Sequence, residues 1–170
     1  FDEIKYLGFP FSISETFQKR NTNATIQESL VNLNTIQQLT HNSGKKLVVY
    51  ISMGFGNPYG DEWNVDYAAR WIDKIQAMGI ETISLADTVG VAKEADISYL
   101  FNEVIRKFPK VEFGAHLHTT PGNWLSKLAA AYDAGCRRFD TAIRGFGGCP
   151  MATDKLTGHL ATENAVQYLL

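Results

Sequence analysis

The sequence predicts an α/β fold with a parallel sheet, and of the two architectures such a fold allows it favours a (β/α)8 barrel over an open doubly wound sheet. Three observations carry this. Short apolar runs recur about 30 to 40 residues apart, the spacing of βα units. Amphipathic helical patterns fill the gaps between them. Polar residues able to do chemistry gather after several of the runs, as they do at the C-terminal face of a barrel. The nearest candidate for a nucleotide-binding loop, Gly54-Phe-Gly56, leads into Asn57-Pro58-Tyr59-Gly60. It does not open a helix, as a dinucleotide-binding sheet would require.

The strand candidates are Tyr6–Ile13, Lys46–Ser52, Glu81–Ala86, Val111–His118 and Arg138–Ile143. Their apolar runs suit strands covered on both sides. The first helix opens with Thr25-Ile-Gln-Glu28, a capping box, and continues with Ile26, Leu30, Leu33 and Ile36 at helical spacing. His41 near its end suits the negative pole of the helix. Asn64 is placed to cap a second helix carrying Ala68, Trp71, Ile72 and Ile75. A third shows Ile97, Leu100, Phe101, Val104 and Ile105, and a fourth follows Pro121-Gly122 with Trp124, Leu125, Leu128 and Tyr132. Thr162 is the expected cap of a last helix.

The chain has 170 residues, 45% of them hydrophobic and 20% charged, with a formal charge of -2. That balance excludes a disordered chain. The absence of basic clusters argues against nucleic acid as a partner. No apolar run approaches the roughly 20 residues a membrane helix needs. Two cysteines, Cys136 and Cys149, are too few for a disulfide scaffold, so a cytoplasmic, reducing setting is expected.

His116-Leu117-His118 closes the fourth strand candidate. Side chains alternate along a strand, so Phe113, Ala115 and Leu117 should face the covering helices while Gly114, His116 and His118 face the interior. Two imidazoles converging there can chelate a divalent metal or form a hydrogen-bonded core pair. His159, just past the fifth strand, falls where barrel loops gather and is a third candidate ligand or a surface residue. Asp87, at the end of the third strand, can serve as a general base, a ligand or a turn cap. Cys149 follows Gly147-Gly148, a setting that can deliver a thiol to a site, whereas Cys136 reads as packing. Ser14 and Thr16 close the first strand with small hydroxyls around Glu15, and Lys19 and Arg20 offer contacts to an anionic substrate or plain surface.

Together these residues resemble the 3-hydroxy-3-methylglutaryl-coenzyme A (HMG-CoA) lyase family, part of a set of metal-dependent TIM barrels that includes isopropylmalate and homocitrate synthases. Ser14-Glu15-Thr16-Phe17 with Lys19, Arg20 and Asn21 is similar to the family's fourth-strand segment. Ile83–Gly90 is similar to its sixth, with Asp87 at the acidic residue implicated in catalysis. His116 and His118 match its metal-binding pair. Gly145-Phe-Gly-Gly-Cys149-Pro150 matches its catalytic loop, and Leu160-Ala-Thr-Glu163 the segment that follows.

The resemblance implies the C-terminal five βα units of a (β/α)8 TIM barrel, one domain over residues 1–170, with the first three units missing. A whole barrel needs about 250 residues. It implies retro-Claisen cleavage of a 3-hydroxyacyl-CoA to acetyl-CoA and a keto acid, with Cys149, Asp87 and His116 catalytic. Ser14, Thr16 and Lys19 are implied to bind the coenzyme or acyl group. His116, His118 and His159 are implied to hold a divalent cation (Mg or Mn, or Zn), with Glu163 helping to orient it. A place in leucine degradation follows from the same likeness. A related aldolase or condensing synthase, or a non-catalytic fragment, are the alternatives. Three positions depart from the family: Thr119 replaces an aspartate, His159 an asparagine and Arg144 a small apolar residue. An incomplete barrel would leave two open sheet edges, so a homo-oligomer or a complementing N-terminal segment is expected to cover them.

Overall fold

The computed structural model describes residues 2–149 and 157–170. Five parallel strands, β1 (Tyr6–Ser12), β2 (Lys46–Ser52), β3 (Thr82–Asp87), β4 (Glu112–Thr119) and β5 (Arg138–Asp140), pair in chain order. Between them run α1 (Glu15–Thr22), α2 (Ile26–Asn42), α3 (Val65–Gln76), α4 (Glu94–Lys107) and α5 (Trp124–Asp133), and α6 (Thr162–Leu169) closes the chain. A two-residue strand, β6 (Gly158–His159), lies antiparallel on the end of β4, pairing His118 with His159.

One face of the sheet is apolar and covered. Phe11, Val49, Ile51, Ile83, Leu85, Phe113, Ala115 and Leu117 join Ile72, Ile75, Ile97, Leu100, Phe101 and Val104 of the helices in one buried core. Burying each such side chain is worth about 1.5–3 kcal/mol, which makes this layer the frame that holds the site. The other face carries polar residues in register. Tyr50, Ser84, Gly114 and Arg138 form one row, and Ala86, His116 and Asp140 the next. The alternation expected for β4 therefore holds: its apolar residues meet the helices and its histidines line the inner face.

The helices start where the sequence marks them. Thr25 accepts from the Glu28 N–H at 3.1 Å while the Glu28 carboxylate accepts from Thr25 N–H at 2.8 Å. Asn64 caps α3 by accepting from Tyr67 N–H at 2.7 Å.

Several expectations are corrected. The segment after β1 is not a strand ending but the short helix α1, with Ser14 as its N-cap. Its sequence is polar except for Phe17, so helical periodicity leaves no apolar stripe to read. β5 stops at Asp140, and Ile143 sits exposed in a 3-10 turn in which Arg144 takes a left-handed φ of 56°. Thr162 is the first helical residue rather than a cap; its hydroxyl donates to Thr141 Oγ1 at 3.0 Å. On α5, Leu125 is exposed, and the buried face is Lys127, Leu128 and Ala131. Among the described residues, no helix is long and apolar enough to cross a membrane.

Candidate metal centre and active site

The C-terminal ends of β2, β3 and β4 and the segments after β5 enclose a cavity of about 280 Å³. Tyr50, Ser52, Ala86, Thr88, His116, His118, Gly148, Cys149 and His159 line it. His116 and His118 stand two residues apart on β4, and β6 brings His159 across from His118 by strand pairing. One ring nitrogen of each lies within 4.8 Å of the others.

His118 shows how the local fold prepares such a group. Its Nδ1 is 2.7 Å from the Thr88 carbonyl. A carbonyl only accepts, so Nδ1 carries the proton and Nε2 keeps its lone pair. That Nε2 is buried without a hydrogen-bond partner, as is His116 Nδ1. Burial first, then the neighbouring His116 and His159, push the His118 pKa down to about 4. Burial and His116 also lower His159. A neutral His118 with an unpaired buried nitrogen, held by a backbone carbonyl on its other nitrogen and beside two further imidazoles, is what a divalent cation requires. The residues present fit a metal.

Asp140 faces the same ring system from β5. Its carboxylate accepts from Ser84 Oγ at 2.8 Å and lies 3.4 Å from His116 Nδ1, a contact outside hydrogen-bonding geometry. Burial alone would raise its pKa, but contact with His116, the Ser84 hydroxyl and the Arg138 charge together hold it below the usual carboxylate range. Tyr50 packs edge-on against His116 with ring centroids 5.6 Å apart.

The segment carrying Cys149 is laid against β6 by its glycines. A Cβ on Gly147, whose φ is +110°, would sit 2.7 Å from the His159 ring, and one on Gly148 would sit 2.8 Å from the Thr157 carbonyl. Only glycine allows that approach. Cys149 is half-buried at the cavity wall. Pro150, the last residue of the Gly-Gly-Cys-Pro motif, lies outside the described residues.

The structure does not bring every expected residue here. Asp87 shares the outer face of β3 with Ile83 and Leu85, so it points away from the cavity; it accepts from Lys127 Nζ at 2.6 Å and from Ala92 N–H at 2.9 Å. Its carboxylate thus sits in the wall behind the cavity. Ser14 and Thr16 are engaged by Asp61, which accepts from Ser14 Oγ at 2.5 Å and from Thr16 Oγ1 at 2.9 Å. Burial would raise the Asp61 pKa, but these hydrogen bonds outweigh it and lower it. Lys19 pairs with Glu15 at 3.1 Å on the exposed side of α1. None of the three lines the cavity. Glu163 is outside the histidine cluster and accepts from Arg144 N–H at 2.9 Å. Cys136 is buried in the core, its thiol pushed up to about 11 by burial.

Tyr50 in the cavity wall, Asp140 beside His116 and the Ser84 hydroxyl that donates to it have no counterpart among the residues the sequence singles out. For Asp140 a signal existed: Arg138 and Asp140 alternate on one strand face, as His116 and His118 do on the next.

The profile of the HMGL-like family matches residues 4–169. The chain belongs to the HMGL-like family. Among members, it is 31% identical over 158 residues to the hydroxymethylglutaryl-CoA lyase of Bacillus subtilis, covering 93% of this chain and 52% of that protein. The crystal structure of the Bacillus subtilis HMG-CoA lyase superposes with a TM-score of 0.89 at 30% identity, covering 98% of this chain and 55% of the other. An HMG-CoA lyase from Acinetobacter baumannii, solved with coenzyme A and 3-methylmalate, matches with a TM-score of 0.87 at 28% identity over 96% of this chain and 53% of that one. The chain thus spans about half the length of the relatives it matches, and its parallel sheet corresponds to part of their TIM barrel.

Proposed function

We propose that this chain carries the metal-binding half of a carbon–carbon lyase that cleaves HMG-CoA, or a close 3-hydroxyacyl-CoA, to acetyl-CoA and a keto acid. The observation that carries the reading is one cavity lined by three convergent imidazoles and a thiol in an HMGL-like chain. The likeness to lyases, one of them solved with coenzyme A, favours cleavage over condensation and an acyl-CoA as substrate.

His116, His118 and His159 are proposed to hold the cation. When bound, a divalent cation supplies Lewis acidity to substrate oxygens. Three imidazole nitrogens without a carboxylate among the described residues of the cluster suit Mn2+ or Zn2+ better than Mg2+, which prefers oxygen ligands. The proton leaving the tertiary hydroxyl is proposed to pass to the Asp140 carboxylate, which lies 3.4 Å from His116 Nδ1. As the carbonyl of the keto acid forms, the C–C bond breaks and its electron pair leaves as the acetyl-CoA enolate. The Cys149 thiol protonates that carbon and later recovers the proton held by Asp140, so the cycle is balanced. Asp87 takes no part in these transfers, and Ser14, Thr16 and Lys19, away from the cavity, are proposed to meet the outer part of the coenzyme.

The exposed Ile4, Tyr6 and Leu7 at the β1 edge suit further strands of the barrel or a second subunit. A cytoplasmic setting and a place in leucine degradation belong to the same proposal. Release of acetyl-CoA from HMG-CoA by the full-length protein, measured with Mn2+ supplied, tests the reading. Cys149→Ala is expected to lower the rate at least about 100-fold, the scale of a lost proton donor; an unchanged rate contradicts it.

A further inference from the structure

Lys127 lies on α5 with its side chain 3% exposed, against Asp87 at 1%. Its ammonium donates to Asp87 Oδ2 at 2.6 Å, to the Gly90 carbonyl at 3.0 Å and to the His118 carbonyl at 3.1 Å. An ammonium has three donors, and all three are used. Asp87 spends its other oxygen on the Ala92 N–H. Thr88, the next residue, accepts from Met53 N–H with its hydroxyl at 2.8 Å and presents its carbonyl to His118 Nδ1 at 2.7 Å.

One ammonium therefore grips both sides of a single hydrogen bond. It holds the β4 backbone at His118, and it holds the turn from Asp87 to Gly90 whose middle carbonyl meets the His118 ring. A buried ion pair is weak support for stability, since desolvation offsets most of the attraction and apolar residues of similar volume often serve as well. Here the pair supplies something packing cannot, a fixed register between a turn and a ring.

We infer that Lys127 is a positioning residue of the metal centre: by clamping the Asp87–Gly90 turn to the His118 backbone, it keeps the Thr88 carbonyl on His118 Nδ1 and so aims Nε2 into the cavity. The inference rests on the reading that His118 ligates a metal. Groups that orient a ligating histidine typically change metal affinity 10–100-fold when removed, and Lys127 acts one bond further back, so the low end applies.

Two readouts test it. Nitrogen-15 NMR of the metal-free chain at neutral pH reports the His118 tautomer, and titration with Mn2+ reports affinity. The wild-type chain is expected to hold the Nδ1–H tautomer alone. Lys127→Met is expected to give mixed tautomers and about tenfold weaker Mn2+ binding. Because that variant leaves the Asp87 carboxylate buried and unpaired, the double variant Asp87→Asn/Lys127→Met, with neither charge, is measured beside it. It is expected to show the same two changes while its melting temperature stays near that of the wild type. A wild-type Nε2–H tautomer overturns the inference without any variant. So does a folded double variant that keeps both the Nδ1–H tautomer and wild-type affinity. A wild-type chain that holds the tautomer but binds no Mn2+ overturns the metal reading instead, and the tautomer of the double variant then decides the clamp alone.

Discussion

Replacing Gly147 by alanine separates a clash at the site from ordinary backbone strain. Gly147 has φ +110°, and an added Cβ would lie 2.7 Å from Cδ2 and 2.8 Å from Nε2 of His159. Gly44 provides the control, with φ +68° and nothing within 4 Å of the same added atom. Placing an L-residue in the left-handed region costs about 1–2 kcal/mol, so both variants should lose stability on that scale. The contact term is present only at Gly147. An imidazole can swing aside, so the clash is relieved by moving the ring of His159 rather than by unfolding. The added penalty should then appear in metal binding, through displacement of one ligand of three. Losing a ligand's contribution of about 1.5–3 kcal/mol, the range of a hydrogen bond to a charged group, corresponds to roughly 10- to 100-fold weaker binding at 1.4 kcal/mol per decade. Chemical denaturation and isothermal titration with Mn2+ measure the two quantities on both variants. Equal Mn2+ affinities for Gly147→Ala and Gly44→Ala would refute the reasoning.

Two further outcomes are expected. Without metal, His118 is neutral in the folded chain because burial and two imidazole neighbours hold its pKa near 4, against an ordinary value of 6.5. Between those values the unfolded chain binds the extra proton. The His118 contribution is therefore complete above about pH 6.5 and is lost as pH falls toward about 4, by on the order of 2–3 kcal/mol. Denaturation midpoints of the wild type and His118→Asn across that window check it, and the slope should be shallower in the variant. Thr25→Ala removes the hydroxyl that accepts from Glu28 N–H at 3.1 Å and should destabilise by about 1 kcal/mol, read by chemical denaturation at neutral pH; a change under 0.3 kcal/mol would deny the capping box its role.

Much of this was legible because two periodicities govern it. Alternation along β4 separates His116 and His118 from Phe113, Ala115 and Leu117, and the structure keeps that separation. The same rule applied to β3 puts Asp87 with Ile83 and Leu85, which is where it lies; its position at a strand end, beside a family likeness, hid this. Lys127 left no signal, because a single lysine within a helical pattern is nearly always solvated and its ion-pair partner Asp87 is 40 residues away along the chain. Asp61 is equally remote from Ser14. Short elements were the other loss: α1 is eight residues and mostly polar, and β5 is three, so neither fills a window in which period can be read.

His116, His118 and His159 are proposed to form one divalent-metal site. The most direct test is titration of the chain with Co2+, followed by its visible absorption, for the wild type and for each single His→Ala variant. One equivalent of bound Co2+ is expected, with d–d bands of a nitrogen-ligated ion, and binding weakened at least about tenfold in each of the three variants. A wild-type chain without such bands, or a His159→Ala variant that binds as the wild type does, would contradict it.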